Sequence, residues 1–251
     1  MAGIRDILII STPLDLPRFQ TLLSGGAQFG IALQYAVQDE PNGLAEALLI
    51  GETFLNGSPS TLILGDNIFY GFGLVDRLAA ADTSPGATIF GYRVHDPERY
   101  GVIEFDESKN AVSLEEKPTR PKSQYAATGL YFYDAHAPDY ARQLIPSARG
   151  ELEITDLNRC YLDAGNLGVQ LLQRGTAWLD TGTVESLMQA AQFVEAIQTR
   201  QGTVIACLEE IALASGWIAP AEIASRIDRL GKGPYATYLK TLLITGASHA
   251  D

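Results

Sequence analysis

Short apolar runs alternate with helix-forming stretches along the first 180 residues, and this alternation restricts the fold more than any other feature. The runs DILIIS (6–11) and STLILG (60–65) have the continuous apolar character of strands covered on both faces in a parallel sheet. Further strands are predicted at 30–37, 87–94, 101–106, 111–116, 127–133, 167–173 and 176–180. Helices are predicted between them at 13–23, 44–55, 74–81, 136–145 and 154–163. This order of elements predicts an α/β core with a doubly wound, mixed but mostly parallel sheet.

The pattern changes after Gly182. Residues 183–200 predict one long helix with Thr183 at its N-cap. Helical segments at 207–217, 220–228 and 234–246 follow, separated by Gly and Pro. We therefore expect an α/β core at 1–182 and a small helical region at 183–251.

Composition narrows the class of function. The formal net charge of −12 argues against a protein that binds nucleic acid through its phosphate backbone. A small phosphorylated ligand would need local cations or a metal ion to offset that charge. No apolar run approaches the roughly 20 residues of a membrane span, and the two cysteines, Cys160 and Cys207, lack the spacing of a metal site. We expect a cytoplasmic protein without a nucleic-acid or membrane partner.

Two of the predicted strands end in an aspartate. Asp66 follows LILG, and Asp180 follows AWL. Ligands of open α/β sheets bind at the carboxyl ends of the strands, and two carboxylates there can hold a hard divalent cation with positions open for phosphate oxygens. The alternative for Asp66 is that it caps the following turn. Spacing alone leaves open whether the two aspartates meet.

A third group of residues surrounds the segment SLEEKP (113–118). Gly101 permits close approach of a ligand to the backbone, Glu116 can accept sugar hydroxyls, and Lys117 can bind a phosphate. The alternative is that Glu116 and Lys117 form a solvated surface turn. The segment GELEITD (150–156) provides an acidic helix start, for which favourable interaction with the helix dipole is a sufficient explanation.

Six segments, taken in order, resemble the sugar-phosphate nucleotidyltransferase family, and within it the glucose-1-phosphate thymidylyltransferases. They are QYAVQDEPNGLAEAL (34–48), LILGDNIFYG (62–71), RYGVIEFD (99–106), LEEKPTRPKSQYAATGLYFYD (114–134), RGELEITDLN (149–158) and GTAWLDTGT (175–183). The resemblance implies a Rossmann-like nucleotide-diphospho-sugar transferase fold. It also implies the transfer of a thymidylyl group from dTTP to glucose 1-phosphate, with release of pyrophosphate, in dTDP-rhamnose and deoxysugar biosynthesis. A homotetramer and a requirement for Mg²⁺ are implied as well.

The same resemblance implies roles for individual residues. Gln38 and Gly43 match the loop that reads the base. Asp66 and Asp180 match the Mg²⁺ ligands. The residues implied in catalysis are Asp66, Asp180 and Lys117. The positions that hold glucose 1-phosphate are matched by Gly101, Glu116, Lys117 and Tyr131, with Lys117 on the phosphate. Further positions around the sugar nucleotide are matched by Arg149, Glu153 and Trp178.

One region of the family pattern is absent from this sequence. Members carry a GGxGTRLxPxT loop that binds the triphosphate and a later SKxLLP segment, and neither occurs in the 251 residues. MAGIRDILIIS (1–11) aligns with the family's second strand, so we expect an N-terminal part to be lacking and transferase activity to be low or absent. Two alternatives stay open: a non-catalytic sugar-nucleotide-binding protein, and a nucleotidyltransferase that uses UTP or CTP.

Overall fold

The computed structural model describes residues 2–81 and 85–245. Its strands are β1 (Asp6–Ser11), β2 (Ala32–Val37), β3 (Ser60–Ile63), β4 (Asn67–Tyr70), β5 (Ala87–Arg93), β6 (Gly101–Phe105), β7 (Ala111–Glu116), β8 (Tyr125–Tyr133), β9 (Leu167–Leu171) and β10 (Ala177–Asp180). Its α-helices are α1 (Leu16–Leu23), α2 (Glu46–Ile50), α3 (Glu52–Leu55), α4 (Leu74–Ala79), α5 (Ala137–Gln143), α6 (Ile154–Asp163), α7 (Val184–Gln201), α8 (Leu208–Ala214), α9 (Pro220–Leu230) and α10 (Pro234–Thr245). Short 3-10 turns lie at Ala27–Phe29 and Pro97–Arg99.

Each predicted strand and helix is present, with ends that differ by a few residues. The helix predicted at 44–55 is interrupted at Gly51, which gives α2 and α3. The short strand β4 was not predicted, because its four residues, NIFY, offer too few positions for a period of two to be recognised. The predicted end of the last helix, at residue 246, lies outside the described residues.

The described residues form two compact units. One contains the described parts of Met1–Tyr35, Tyr70–Ala79 and Leu179–Asp251, and the other contains those of Ala36–Phe69 and Ala80–Trp178. The boundary expected between residues 182 and 183 stays a prediction.

The unit formed by 36–69 and 80–178 is built on a six-stranded sheet with the order β7-β6-β8-β5-β9, in which β3 also pairs with β8. The long strand β8 is central. It pairs with β5 along one edge, and its other edge pairs first with β6, at Ala126↔Val102, and then with β3, at Tyr133↔Ser60. The start of β6 and the end of β3 therefore lie along the same edge of β8. The end of β7 lies beside the start of β6.

The sheet is mixed, as predicted, but its share of parallel pairs is smaller than predicted. β5 and β9 run parallel, whereas β8 is antiparallel to β3, β5 and β6. The most completely buried strands are β5 and β8, while β1 and β3 are half-buried and Ile63 is 56% exposed. The prediction that the apolar runs of β1 and β3 are covered on both faces is therefore wrong. Such a run also contains no information on the direction of the neighbouring strand.

The core of this unit lies where α2, α5 and α6 pack on the sheet. Its side chains are almost completely inaccessible to solvent, and they include Ile89, Ile103, Tyr133, Leu157 and Tyr161. Burial of this apolar surface is the main stabilising contribution to the unit. The helix α6 also contacts β7, so the start of α6 is fixed beside the end of the β6–β7 hairpin.

In the other unit, α7 begins where the sequence predicts. Thr183 Oγ1 accepts the N–H of Ser186 at 3.1 Å, and Ser186 Oγ accepts the N–H of Thr183 at 3.1 Å. The two bonds form a capping box, which satisfies backbone donors that the first helical turn leaves without partners.

The helices α8, α9 and α10 pack around a second apolar core, which includes Ile223, Leu239 and Leu242. Glu209 is buried at its edge, where its carboxylate accepts hydrogen bonds from Arg226 Nε at 3.1 Å and from the hydroxyl of Tyr235. Cys207 is buried in this core and, like Cys160 in the other unit, has a free thiol.

No helix within residues 2–81 and 85–245 combines the length and the apolar character needed to cross a membrane.

Candidate active site

Glu116 is the centre of the predicted sugar site, and the sheet register places Gly101 directly opposite it. Gly101 begins β6 and pairs with Glu116 at the end of β7. A Cβ at residue 101 would lie 2.8 Å from Thr155 Oγ1 and 3.3 Å from Glu116 Oε2. Thr155 Oγ1 itself donates to Glu116 Oε2 at 2.6 Å. The absence of a side chain at Gly101 therefore lets Thr155 and Glu116 pack closely against the start of β6, with the carboxylate held by Thr155.

Two cationic side chains lie beside Glu116. Lys117 Nζ is 3.7 Å from Glu116 Oε1, and Arg149 Nη2 is 3.8 Å from the same oxygen. Lys117 has a left-handed backbone conformation, with φ of 42°, and its N–H donates to the Tyr100 carbonyl at 3.0 Å. Such a conformation is uncommon for a residue with a long side chain and is often found at functional sites. Both cations are partly exposed, so a phosphate can reach them.

Arg149 is held mainly by Glu153, the N-cap residue of α6. Its guanidinium donates to both Glu153 oxygens, at 2.8 and 2.9 Å through Nη2, and these bonds raise the pKa of Arg149. Glu153 is buried and also accepts the Ser147 hydroxyl at 2.7 Å. Glu153 therefore orients Arg149. Its place near the sugar nucleotide stays a prediction.

Tyr131 links Glu116 with the first predicted metal ligand. It lies in β8 and is buried. Burial raises the pKa of Tyr131 well above its ordinary value, and the negative charges of Glu116 and Asp66 raise it further. The phenol therefore stays protonated as a hydrogen-bond donor, within electrostatic reach of both carboxylates.

Asp66 lies in the turn between β3 and β4, and Trp178 lies in β10. Asn67 Nδ2 donates to Asp66 Oδ1 at 2.7 Å, and Trp178 Nε1 donates to Asn67 Oδ1 at 2.6 Å. The Trp178 ring contacts Tyr100, with ring centroids 5.1 Å apart. Trp178 and Asp66 are therefore connected through one amide.

Asp180 is the last residue of β10 and belongs to the other unit, where its carboxylate accepts the Gly182 N–H at 3.2 Å. That Asp66 and Asp180 share a cation stays a prediction. Within residues 2–81 and 85–245, no group of three or more His, Cys, Asp or Glu side chains is arranged to hold a metal ion by itself.

The predicted base-reading loop is tied to the backbone beside Glu153. Gln38 Nε2 donates to the Gly43 carbonyl at 3.2 Å and to Glu46 Oε2 at 2.6 Å. Gly43 has φ of 106°, and a Cβ there would collide with the Leu152 backbone. The Leu152 N–H donates to the Asn42 carbonyl at 2.6 Å. Only glycine fits at residue 43, because the backbone conformation and the close approach of Leu152 both exclude a side chain.

Residues of this arrangement that were not predicted as site residues include Glu46, Asn67, Ser147 and Thr155. Asn67 and Thr155 lie inside segments that carry the resemblance, LILGDNIFYG and RGELEITDLN. Their side chains contact residues far away in sequence, so local pattern does not distinguish them from ordinary polar residues. Thr155 is only 2% exposed, and burial of a polar side chain at a helix start is the property that identifies it once the structure is known.

A mixed sheet covered by α-helices, with the polar side chains of Asp66, Glu116 and Lys117 at or next to strand ends, defines an α/β protein with a candidate ligand site at the sheet edge. The nucleotidyl transferase family model matches residues 1–197. The chain therefore belongs to the nucleotidyl transferase family, as the six segments predict.

Its relatives include two glucose-1-phosphate thymidylyltransferases. The one from Xanthomonas campestris pv. campestris (strain B100) is 58% identical over 250 residues, which cover 99% of this chain and 85% of the relative. The one from Neisseria gonorrhoeae is 57% identical over 244 residues, which cover 97% of this chain and 85% of the relative.

Solved structures agree with the predicted fold. A candidate glucose-1-phosphate thymidylyltransferase from Bacillus anthracis, in complex with sucrose, is 39% identical and superimposes with a TM-score of 0.68 over 76% of this chain and 77% of that one. A UDP-glucose pyrophosphorylase complexed with UDP-glucose is 21% identical, with a TM-score of 0.61 over 78% of this chain and 82% of that one, and it supports the fold alone. The prediction of a nucleotide-diphospho-sugar transferase fold is confirmed.

Proposed function

We propose that this chain is built for glucose-1-phosphate thymidylyl transfer, in which dTTP and glucose 1-phosphate give dTDP-glucose and pyrophosphate. The observation that carries the proposal is the arrangement around Glu116, where Lys117 and Arg149 lie within 3.8 Å of one carboxylate oxygen. This arrangement occurs in a chain that is 58% identical to a thymidylyltransferase. A carboxylate with two cations beside it is suited to a ligand that has both hydroxyls and a phosphate.

In this proposal the protein positions reactants and offsets charge. Glu116, held by Thr155, accepts sugar hydroxyls, while Lys117 and Arg149 bind the phosphate of glucose 1-phosphate. An oxygen of that phosphate attacks the α-phosphorus of dTTP in line, and pyrophosphate leaves with the electron pair of the broken bond. No covalent bond to the enzyme forms, because orientation and electrostatic stabilisation suffice for phosphoryl-type transfer. Tyr131, kept neutral by burial and by nearby carboxylates, remains a donor throughout.

The proposed divalent cation is Mg²⁺. Asp66 and Asp180 would hold it, since carboxylate oxygens are the hard donors that Mg²⁺ prefers. When bound, the ion would neutralise phosphate charge. Gln38 and Gly43 would read the base of dTTP, with the Gln38 amide already oriented by Glu46 at 2.6 Å.

Binding of the product tests the site directly. Calorimetry of the full chain with dTDP-glucose in Mg²⁺ is expected to show saturable heat, with weaker binding of UDP-glucose and CDP-glucose. Lys117→Gln is expected to weaken binding at least about tenfold, since a hydrogen bond to a charged group contributes about 1.5–3 kcal/mol. The matched control is Lys122→Gln, which removes the same charge from a lysine that contacts Glu104 at 3.4 Å. Absence of saturable heat, or equal losses in the two variants, would contradict the proposal.

Transfer and binding of the sugar nucleotide without turnover are distinguishable by experiment. A pyrophosphate-release assay with dTTP, Mg²⁺ and glucose 1-phosphate separates the two candidates. Steady release supports the transferase, whereas saturable dTDP-glucose binding with negligible release supports a sugar-nucleotide-binding protein.

The assembly and location of the protein stay predictions. The family resemblance supports a homotetramer, a place in dTDP-sugar biosynthesis and a cytoplasmic location. Light scattering coupled to size-exclusion chromatography measures the assembly directly.

A further inference from the structure

The side-chain amide of Asn67, beside the predicted metal ligand Asp66, makes three hydrogen bonds. Its Oδ1 accepts Trp178 Nε1–H at 2.6 Å and the Gly129 N–H at 3.1 Å, and its Nδ2 donates to Asp66 Oδ1 at 2.7 Å. An indole N–H and a backbone N–H can only donate. The atom that faces both must therefore be the amide oxygen, so the NH₂ group necessarily points to Asp66.

The groups on the oxygen side of the amide are held rigidly. Gly129 lies in the central strand β8, and its carbonyl accepts the Leu64 N–H at 2.9 Å. A Cβ at residue 129 would lie 2.7 Å from Asn67 Oδ1, so the backbone approaches the amide as closely as only glycine permits. The Trp178 indole is buried, and its ring contacts both Tyr92 and Tyr100.

The positions of β8 and of the indole therefore fix the amide, and the amide in turn fixes one oxygen of the Asp66 carboxylate. A hydrogen bond from a fixed amide restricts the orientations that a carboxylate can adopt. Groups that orient a ligating carboxylate in this way commonly change metal affinity by 10- to 100-fold when they are removed.

We propose that Asn67 is a positioning residue, which orients the Asp66 carboxylate toward the divalent cation of the nucleotidyl transfer site. This inference rests on the proposed function, because that function assigns the cation to Asp66. Asn67 does not ligate the cation in this proposal; it acts only through Asp66.

The test compares Mn²⁺ affinities of the full chain by electron paramagnetic resonance. Asn67→Ala is expected to bind Mn²⁺ about tenfold more weakly than the parent. Because Asn67 acts through Asp66, the double variant Asp66→Ala/Asn67→Ala is expected to bind no more weakly than Asp66→Ala alone. A residue that only supported the fold would weaken binding further in the double variant.

Asn110→Ala is the matched control. Asn110 Nδ2 donates to Asp106 Oδ2 at 3.2 Å in an exposed turn, so this variant removes the same kind of amide–carboxylate bond outside the site. It is expected to keep the parent's Mn²⁺ affinity. Parental affinity in Asn67→Ala, or a further loss in the double variant relative to Asp66→Ala, would overturn the inference.

Gly129→Ala keeps the inference testable if Asn67→Ala does not fold. It leaves every polar group in place but puts a methyl group against Asn67 Oδ1, and it is expected to weaken Mn²⁺ binding as well. An unchanged Mn²⁺ affinity in folded Gly129→Ala overturns the inference.

The proposed function and this inference fail in different ways. A parent chain that binds Mn²⁺ but not dTDP-glucose refutes the proposed function, while the comparison of Mn²⁺ affinities still decides the role of Asn67. A parent chain that binds no Mn²⁺ overturns the inference itself.

Discussion

At the scale of single residues, the position of the Glu116 carboxylate depends on the absence of a side chain at Gly101. Replacement by alanine would put a methyl carbon 2.8 Å from Thr155 Oγ1 and 3.3 Å from Glu116 Oε2. Those two oxygens are hydrogen-bonded at 2.6 Å, so relief of the contact would move the carboxylate. Gly101→Ala is expected to weaken dTDP-glucose binding about tenfold, or about 1.4 kcal/mol, as measured by calorimetry.

The control for that prediction is Gly168→Ala in β9. Gly168 is also a strand glycine, but a Cβ there would meet its nearest neighbours at 3.4 and 3.5 Å, which are ordinary contacts. Its dTDP-glucose affinity is expected to match that of the parent. Equal losses in both variants would show that alanine perturbs the sheet in general and not the surroundings of Glu116.

Which site residues could be predicted depended on the range of their contacts. Gly101, Glu116 and Lys117 stand in segments whose sequence alone suggested a ligand, and the β6–β7 hairpin brings them together locally. Asn67 was missed because its partners Gly129 and Trp178 are 62 and 111 residues away. No local periodicity reports contacts of that range.

At the scale of elements, periodicity predicted where helices and strands lie, but not which strands are neighbours. β8 is buried along most of its length, a pattern typical of parallel sheets, although its neighbours run antiparallel to it. Its pairing with β3, β5 and β6 depends on tertiary packing. Helix starts were more predictable, because a cap is a local interaction between residues three apart.

The capping box of α7 provides a quantitative test of that local rule. Thr183→Ala removes the side-chain acceptor of the Ser186 N–H and is expected to lower the free energy of unfolding by about 1 kcal/mol. Urea denaturation followed by circular dichroism measures the change.

Thr199→Ala is the control for Thr183→Ala. Thr199 is an exposed residue near the other end of the same helix, where its hydroxyl bonds Glu195 at 3.2 Å. Alanine has the higher helix propensity, so this variant is expected to unfold at the same urea concentration as the parent or slightly above it. Similar destabilisation by both variants would refute the assignment of the effect to the cap.

At the scale of the whole molecule, buried tyrosines in both units make the free energy of unfolding depend on pH in the alkaline range. Burial raises the pKa of Tyr131 and Tyr133 in one unit and of Tyr235 and Tyr238 in the other. Hydrogen bonds to the Glu209 and Glu210 carboxylates also raise the pKa of Tyr235 and Tyr238, respectively. These phenols therefore keep their protons in the folded state at a pH where the unfolded chain, with an ordinary tyrosine pKa of about 10, loses them.

The direction of the resulting pH dependence follows from proton binding. Above about pH 10 the folded state holds more protons than the unfolded state, so the free energy of unfolding falls as pH rises. Below that pH both states are protonated, and the stabilisation is fully present. Near pH 8 we expect ionisation of these tyrosines to have no effect on the urea concentration at the midpoint of unfolding. Above about pH 10 we expect that concentration to fall as pH rises.

Tyrosinate absorbance provides the decisive measurement for this pH dependence. In the folded protein the buried phenols are expected to ionise only as circular dichroism reports unfolding, so the two signals should change together. Tyr161→Phe removes a further phenol whose pKa is raised, first by burial and then by its bond to Asp134, and a shallower decline of stability with pH is expected. Complete ionisation of all 11 tyrosines near pH 10 with unchanged circular dichroism would contradict the assignment of raised pKa values.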